Sequence, residues 1–329
     1  MKALVYTRPL TLDLRDEPEP VPGPDELLVR VDACGICGSD LHGYHGHDSR
    51  RVPPLILGHE AAGRVAAGPQ TGRRVAINPL VTCGVCDACV SGRANLCPER
   101  RLIGMARPGA FAELVTIPAV NVCDVPDTLP AEHAALAEPT AVAVHAAALA
   151  ARASTRPLGE CDALVIGGGG IGVLAALVLQ SHGVRRLRVA ETNPLRRAPL
   201  AARAIGEPFD PVADPPAEGR FDVVIDAVGA DATRRLAVHA VRPGGVVVHV
   251  GLQGGEGGLD IRRITLQEIT VIGTYTYTPL DFRTALRGLA EGAYGDLSWI
   301  ERRPLDEGAR AFADLDEGRS AAAKIVLVP

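Results

Sequence analysis

Hydrophobic and polar residues follow two textures along this chain. Up to about residue 135, short runs of Val, Leu and Ile are separated by Pro and Gly. Examples are Leu27-Leu-Val-Arg-Val31, Gly63-Arg-Val-Ala66, Arg74-Val-Ala-Ile77 and Phe111–Ile117. Runs of that length with turn residues between them predict an antiparallel, barrel-like β domain. From about residue 140 the texture changes. Ala163-Leu-Val-Ile166 reads as a buried strand, followed by glycines and an apolar helix from Ile171 to about His182. Leu187-Arg-Val-Ala190 is the next strand and Pro194–Ile205 the next helix, its Pro at the first turn, where no N–H is needed.

The alternation continues through Asp222-Val-Val-Ile225, a helix around Thr233–Val241, Val246-Val-Val-His-Val250 and Ile269-Thr-Val-Ile272. Strand and helix in strict succession predict a parallel α/β sheet. A helix near Leu280–Ala290 and a final strand, Lys324-Ile-Val-Leu-Val328, make up the tail. So isolated a strand is expected to rejoin the first domain.

A length of 329 residues suits two domains, and 47% hydrophobic with 22% charged residues is globular composition. A net charge of −5 and a pI near 6.0 give no reason for a nucleic-acid partner. The pairs Arg73-Arg74, Arg185-Arg186 and Arg234-Arg235 read as solvated surface. Arg8, Pro9, Asp13 and Arg15 interrupt the N-terminus too early for a signal peptide. Leu136–Ala151 and Ile171–Leu179, the longest apolar stretches, are Ala-rich or too short for a bilayer span, so no membrane association is expected. Cysteines at metal spacing without an export signal imply a reducing, cytoplasmic setting.

Chemistry enters first at Gly167-Gly-Gly169-Gly170-Ile171-Gly172, between a predicted strand and a predicted helix. Gly167, Gly169 and Gly172 fill G-x-G-x-x-G, which permits a tight turn, close approach to a pyrophosphate and close helix packing. The following helix N-terminus offers free N–H groups to phosphate. Glu191 ends the second strand, placed to accept the hydroxyls of an adenosine ribose and to repel a 2′-phosphate. NAD is therefore the expected dinucleotide. NADP is the second choice, because Arg196 and Arg197 lie close by.

Cys83, Cys86, Cys89 and Cys97 form the second signal. Four soft sulfur donors on a Gly-bearing loop suit tetrahedral zinc. The bacterial iron–sulfur run places its fourth Cys after three residues, whereas seven intervene here. Cys37 in Cys34-Gly-Ile-Cys37-Gly-Ser39-Asp40-Leu-His42, with His59 in Gly58-His59-Glu60, makes a candidate catalytic metal site.

Gly35-Ile-Cys37-Gly-Ser39-Asp40-Leu-His42, Gly58-His59-Glu60, the four-cysteine lobe and the glycine turn occur in the order found in zinc-dependent medium-chain dehydrogenases. The chain resembles that family over its full length, and the sorbitol and polyol branch more than the ethanol dehydrogenases. The resemblance implies an α/β protein with a GroES-like β-barrel catalytic domain and a doubly wound Rossmann domain. The implied division is 1–140 with a structural zinc lobe near 80–100, then 141–277, then a returning segment 278–329.

The resemblance further implies two zinc ions. Cys83, Cys86, Cys89 and Cys97 would hold a structural one. Cys37 and His59 would hold a catalytic one, with Glu138 preferred to Glu60 as third ligand; ethanol dehydrogenases have Cys where this chain has Glu138. Asp40 would steady His59, and Ser39 and His42 would relay the proton outward. The implied reaction is reversible NAD-linked oxidation of a secondary alcohol (a polyol or sugar alcohol) to a ketone, with hydride leaving a zinc alkoxide. The alternatives are an aldehyde reductase or primary alcohol dehydrogenase, a threonine-type dehydrogenase, and a non-enzymatic nucleotide-binding relative. The family's assemblies imply a homodimer or homotetramer. One departure stands out: the connection between Gly63 and Val75 is shorter than is usual in the family, which leaves that hairpin's geometry open.

Overall fold

The computed structural model describes residues 1–329. Its N-terminal part supplies β1 (Lys2–Arg8), β2 (Thr11–Asp16), β3 (Glu26–Gly35), β4 (Leu55–Ile56), β5 (Glu60–Val65), β6 (Arg74–Ile77), β7 (Leu80–Val81), β8 (Arg101–Leu102), β9 (Leu114–Pro118) and β10 (Val122–Asp124). Strand β3 is the centre, because Val29, Val31, Ala33 and Cys34 are buried while Arg30 stays in water. It pairs antiparallel with β5 and β9. Strands β2, β1 and β4 form a second, smaller sheet. Leu4, Tyr6, Val75, Ile77, Phe111 and Ile117 fill the core of this part. The shortened connection still closes a regular hairpin, with Ala62 opposite Ala76 and Gly63 opposite Val75.

The middle of the chain forms one parallel sheet: β11 (Asp162–Ile166), β12 (Arg186–Ala190), β13 (Glu207–Phe209), β14 (Phe221–Asp226), β15 (Val241–His249) and β16 (Thr270–Gly273). Their spatial order is β13-β12-β11-β14-β15-β16. The order reverses between β11 and β14, the switch point at which doubly wound sheets bind ligands. Every residue of β11 and β14 is buried, as expected of strands covered on both faces.

Two C-terminal strands, β17 (Ile300–Pro304) and β18 (Lys324–Val328), pair parallel to each other. Strand β18 joins β3 antiparallel, Val326 opposite Gly35. The strands before residue 135 pair antiparallel as expected; the returning segment adds one parallel pair, because β18 follows β17 through a helical crossover (Gly308–Asp316).

The helix Ala137–Ala153 joins the two parts. A single apolar cluster runs from Ala33, Ala62 and Ala76 through Ala141 and Ala147 to Val165 and Val223. By length and composition the segment Ala131–Ala153 is apolar enough to cross a bilayer, yet 67% of its apolar window is buried inside the protein. Its buried alanines allow the neighbouring helices and strands to pack closely. Arg234 also departs from expectation: it is 6% exposed rather than solvated, because main-chain carbonyls surround its guanidinium.

Candidate active site

Cys83, Cys86, Cys89 and Cys97 converge on the loop between β7 and β8, with all four sulfurs within 4.8 Å of one another. The Cys83–Cys89, Cys86–Cys89 and Cys83–Cys97 separations are 3.9, 3.6 and 3.6 Å. A tetrahedron with metal–sulfur bonds of about 2.3 Å has edges of about 3.8 Å, so the cage fits zinc. Disulfides need sulfurs about 2.05 Å apart. The N–H groups of Val85 and Cys86 point at Cys83 and bring its thiol down to about 6, favouring the thiolate that a metal requires.

A second cluster forms where β3 ends. Cys37 caps the short helix Gly38–Tyr44, its sulfur accepting from Ser39 N at 3.4 Å. Asp40 of the same turn is fully buried and accepts from Cys37 N at 3.1 Å and from Arg51 Nη2 at 3.3 Å. Its Oδ1 lies 3.4 Å from His59 Nδ1, a charge contact longer than a well-formed hydrogen bond. Burial resists charging His59, but Asp40 and Cys37 outweigh it and hold the imidazole's pKa well above its usual value.

Glu60 begins β5, and its carboxylate lies within 4.8 Å of the donor atoms of Cys37 and His59. Glu138 is absent from that group of three. Both acids are buried, and each has its own restraint. Glu60 takes two 2.7 Å hydrogen bonds from Lys324 Nζ, which also donates to Ile36 O. Glu138 accepts from the Tyr277 hydroxyl at 3.0 Å. Burial, with some help from nearby Glu60, pushes Glu138 up to about 7.

A cleft of about 1330 Å³ opens between the two parts of the molecule. Cys37, Ser39, His42, His59 and Glu138 line it, and so do Gly167, Gly169, Gly170, Ile171, Gly172, Glu191 and Arg196. The tertiary structure therefore gathers the proposed catalytic and cofactor residues into one space. The four lobe cysteines and Glu60 lie outside its lining.

The glycine turn is built to pass close to a ligand. Gly167 has φ +100, and a Cβ at Gly172 would lie 1.7 Å from Gly167 O. A Cβ at Gly169, in contrast, would meet nothing within 4 Å, so the backbone is bare where a pyrophosphate would approach. Glu191 accepts from Gly168 N at 2.8 Å and Asn193 N at 2.7 Å, which fixes the carboxylate at the cleft wall. Nε of Arg196 is buried without a hydrogen-bond partner.

Ser39 Oγ accepts from Arg51 Nη2 at 3.0 Å, leaving its own proton free to donate elsewhere. His42 is half-buried; burial, then the charges of His47 and Arg51, lowers its pKa. His45 pairs with Asp316 at 2.7 Å and stacks on His47 at the cleft edge. Tyr44 and Phe111 belong to the core. The sequence reading overlooked Lys324 and Arg51. The one available signal was a lysine heading an apolar strand, a residue seldom fully buried unless paired.

Two family models match the chain: the alcohol dehydrogenase GroES-like domain over residues 23–127, and the zinc-binding dehydrogenase domain over residues 170–291. L-galactonate-5-dehydrogenase of Escherichia coli K12 is 35% identical over 332 residues, covering 95% of this chain and 94% of that protein. L-threonine 3-dehydrogenase of Sinorhizobium medicae is 32% identical, covering 99% of this chain and 98% of that protein. The structure of a protein described as a zinc-binding dehydrogenase from Sinorhizobium meliloti 1021, bound to NADP, superposes with a TM-score of 0.87. That protein is 32% identical, and the match covers 100% of this chain and 99% of the other. The chain belongs to the zinc-dependent medium-chain dehydrogenase family and resembles its polyol branch.

Proposed function

We propose that this protein is a zinc-dependent oxidoreductase that interconverts a secondary alcohol of the polyol type and its ketone with a nicotinamide dinucleotide. The observation that carries this reading is the shared cleft, lined by a thiol, an imidazole and a buried acid together with a glycine turn bare enough for phosphate. The relatives named as dehydrogenases of L-galactonate and L-threonine support the same chemistry.

Cys37 and His59 would hold the catalytic zinc. As third holder we favour Glu60, whose carboxylate lies near both, over Glu138, whose carboxyl faces the cleft. Bound zinc supplies Lewis acidity that makes a hydroxyl easier to deprotonate, and the nicotinamide supplies a hydride acceptor. Asp40 orients His59, and Arg51 anchors both Asp40 and Ser39. Glu138, steadied by Tyr277, can accept a second hydroxyl of a vicinal diol. Ser39 and His42 lie along the cleft as a route for the released proton.

Glu191 at the cleft wall favours NAD, since it faces the place of an adenosine ribose. The unpartnered Nε of Arg196, together with the NADP-bound relative, keeps NADP as a second reading. Fluorescence titration is expected to give tighter NADH than NADPH binding. Glu191→Ala should move that ratio roughly ten-fold toward NADPH, on the scale of removing one like-charge contact. An unchanged ratio would assign cofactor choice to other residues.

We divide the chain at 140 and 277, because β18 returns the last segment to β3. We further propose a soluble, cytoplasmic homodimer or homotetramer, with β16 offering an unpaired edge. The deciding experiment is a panel of polyols, threonine, benzyl alcohol and ethanol with NAD and NADP, run beside a zinc count. Alcohol-dependent cofactor reduction and two zinc ions per chain are expected. A protein that binds NADH but oxidises no alcohol would point instead to a non-enzymatic nucleotide-binding relative.

A further inference from the structure

Arg234 is a full charge, buried with no carboxylate partner. It lies on the helix Asp231–Ala240, and each of its hydrogen bonds goes to a main-chain carbonyl. Nε donates to Gly257 O at 2.6 Å, Nη1 to Gly229 O at 2.8 Å and Gly254 O at 3.0 Å, and Nη2 to Glu256 O at 2.6 Å. The nearest acid along the helix, Asp231, is engaged by Arg235 instead.

These carbonyls belong to two separate turns. Gly229 follows β14, while 254–257 lie in the glycine-rich loop after β15, Gly251-Leu-Gln-Gly-Gly-Glu-Gly-Gly258. Such a loop has almost no side chains with which to pack, so its shape depends on main-chain bonds. Two of these tie it directly to the first turn: Gln253 N to Val228 O at 3.2 Å and Gly254 N to Gly229 O at 2.9 Å. From below, the buried carboxylate of Asp226 accepts from Val228 N, Gly229 N and the Thr233 hydroxyl at 2.9–3.0 Å. Val228, Thr233, Gly251, Leu252 and Gln253 line the cleft, so both turns form its wall.

A doubly wound sheet binds a dinucleotide in two halves, and Glu191 lies on the half built from β11 to β13. The wall held by Arg234 belongs to the other half. We propose that Arg234 is a positioning residue for the nicotinamide half of the cofactor, its guanidinium bracing the loop 251–258 against the turn after β14. The inference rests on the dinucleotide-binding reading above. A planar fork of five donors can collect several carbonyls at once, whereas a lysine ammonium is a compact point charge. Without the brace, binding must also supply the ordering of the loop.

The test compares wild-type, Arg234→Lys and Arg234→Met full-length, zinc-loaded protein by titration with NADH and, separately, with AMP. NADH affinity is expected to fall roughly ten-fold in both variants, the scale of one lost charge-assisted hydrogen bond. AMP affinity should stay unchanged, and amide exchange should quicken within 251–258. Equal weakening of NADH and AMP would mean a merely structural role and overturn the proposal, as would wild-type NADH affinity in both variants. If the Met variant does not fold, the Lys variant alone decides. Wild-type protein that binds AMP and NADH equally well would remove any contribution of this wall. Failure to bind either would sink the dinucleotide reading itself.

Discussion

Cys37→Ser is expected to lower kcat/KM for alcohol oxidation by about 10³-fold, more than the 10–100-fold cost of losing a group behind a metal ligand. A thiolate is a soft donor with a charge, and a serine hydroxyl at neutral pH has neither property. The loss should appear together with a fall in zinc content from two ions to one. NADH binding should survive, because Cys37 is not part of the glycine turn or of the β12 end that carries Glu191. The lobe cysteines retain their cage, so the remaining zinc should stay bound. Full activity with two zinc ions in the variant would remove Cys37 from the catalytic site.

Lys324→Met is expected to destabilise the zinc-free protein by about 3–5 kcal/mol, the cost of leaving one member of a buried ion pair alone. Glu60 is 0% exposed and Lys324 3%, and the ammonium bonds both carboxylate oxygens. Urea unfolding monitored by fluorescence would measure the loss. The double variant Lys324→Met with Glu60→Gln should recover part of it, because no charge is then stranded. A single variant as stable as wild type would show that Glu60 finds another counter-charge. Binding of NADH should also change: a Cβ built at Gly170 of the phosphate turn would lie 2.8 Å from Lys324 Cε. One side chain of the final strand thus touches both the metal cluster and the cofactor cradle.

Much of the architecture was legible in the chain, for local reasons. The strand–glycine–helix succession at 163–182 corresponds to β11 and the helix Gly170–Ser181, since buried parallel strands must be apolar and the turn between them must lack side chains. The cysteine spacing was legible because all four cysteines come from one short loop. Cys37 and His59 were legible only together with their flanking motifs, since separation along the chain says nothing about proximity. Arg234 was misread because charge pattern records a residue's type and not what covers it. Nothing local marks Tyr277, although its hydroxyl holds Glu138, 139 positions away.

Residue order alone was enough to specify the four-cysteine lobe, the phosphate turn and the succession of elements, because each depends on spacings of a few residues. Tertiary structure decided which carboxylate lies beside Cys37 and His59, and what neutralises it. It also brought Glu138 to Tyr277, and Arg234 to a loop it could not be assigned to from sequence. The physical reason is the same in each case. A buried charge must find its partner wherever the fold brings one, and here Lys324 reaches Glu60 across 264 positions of chain.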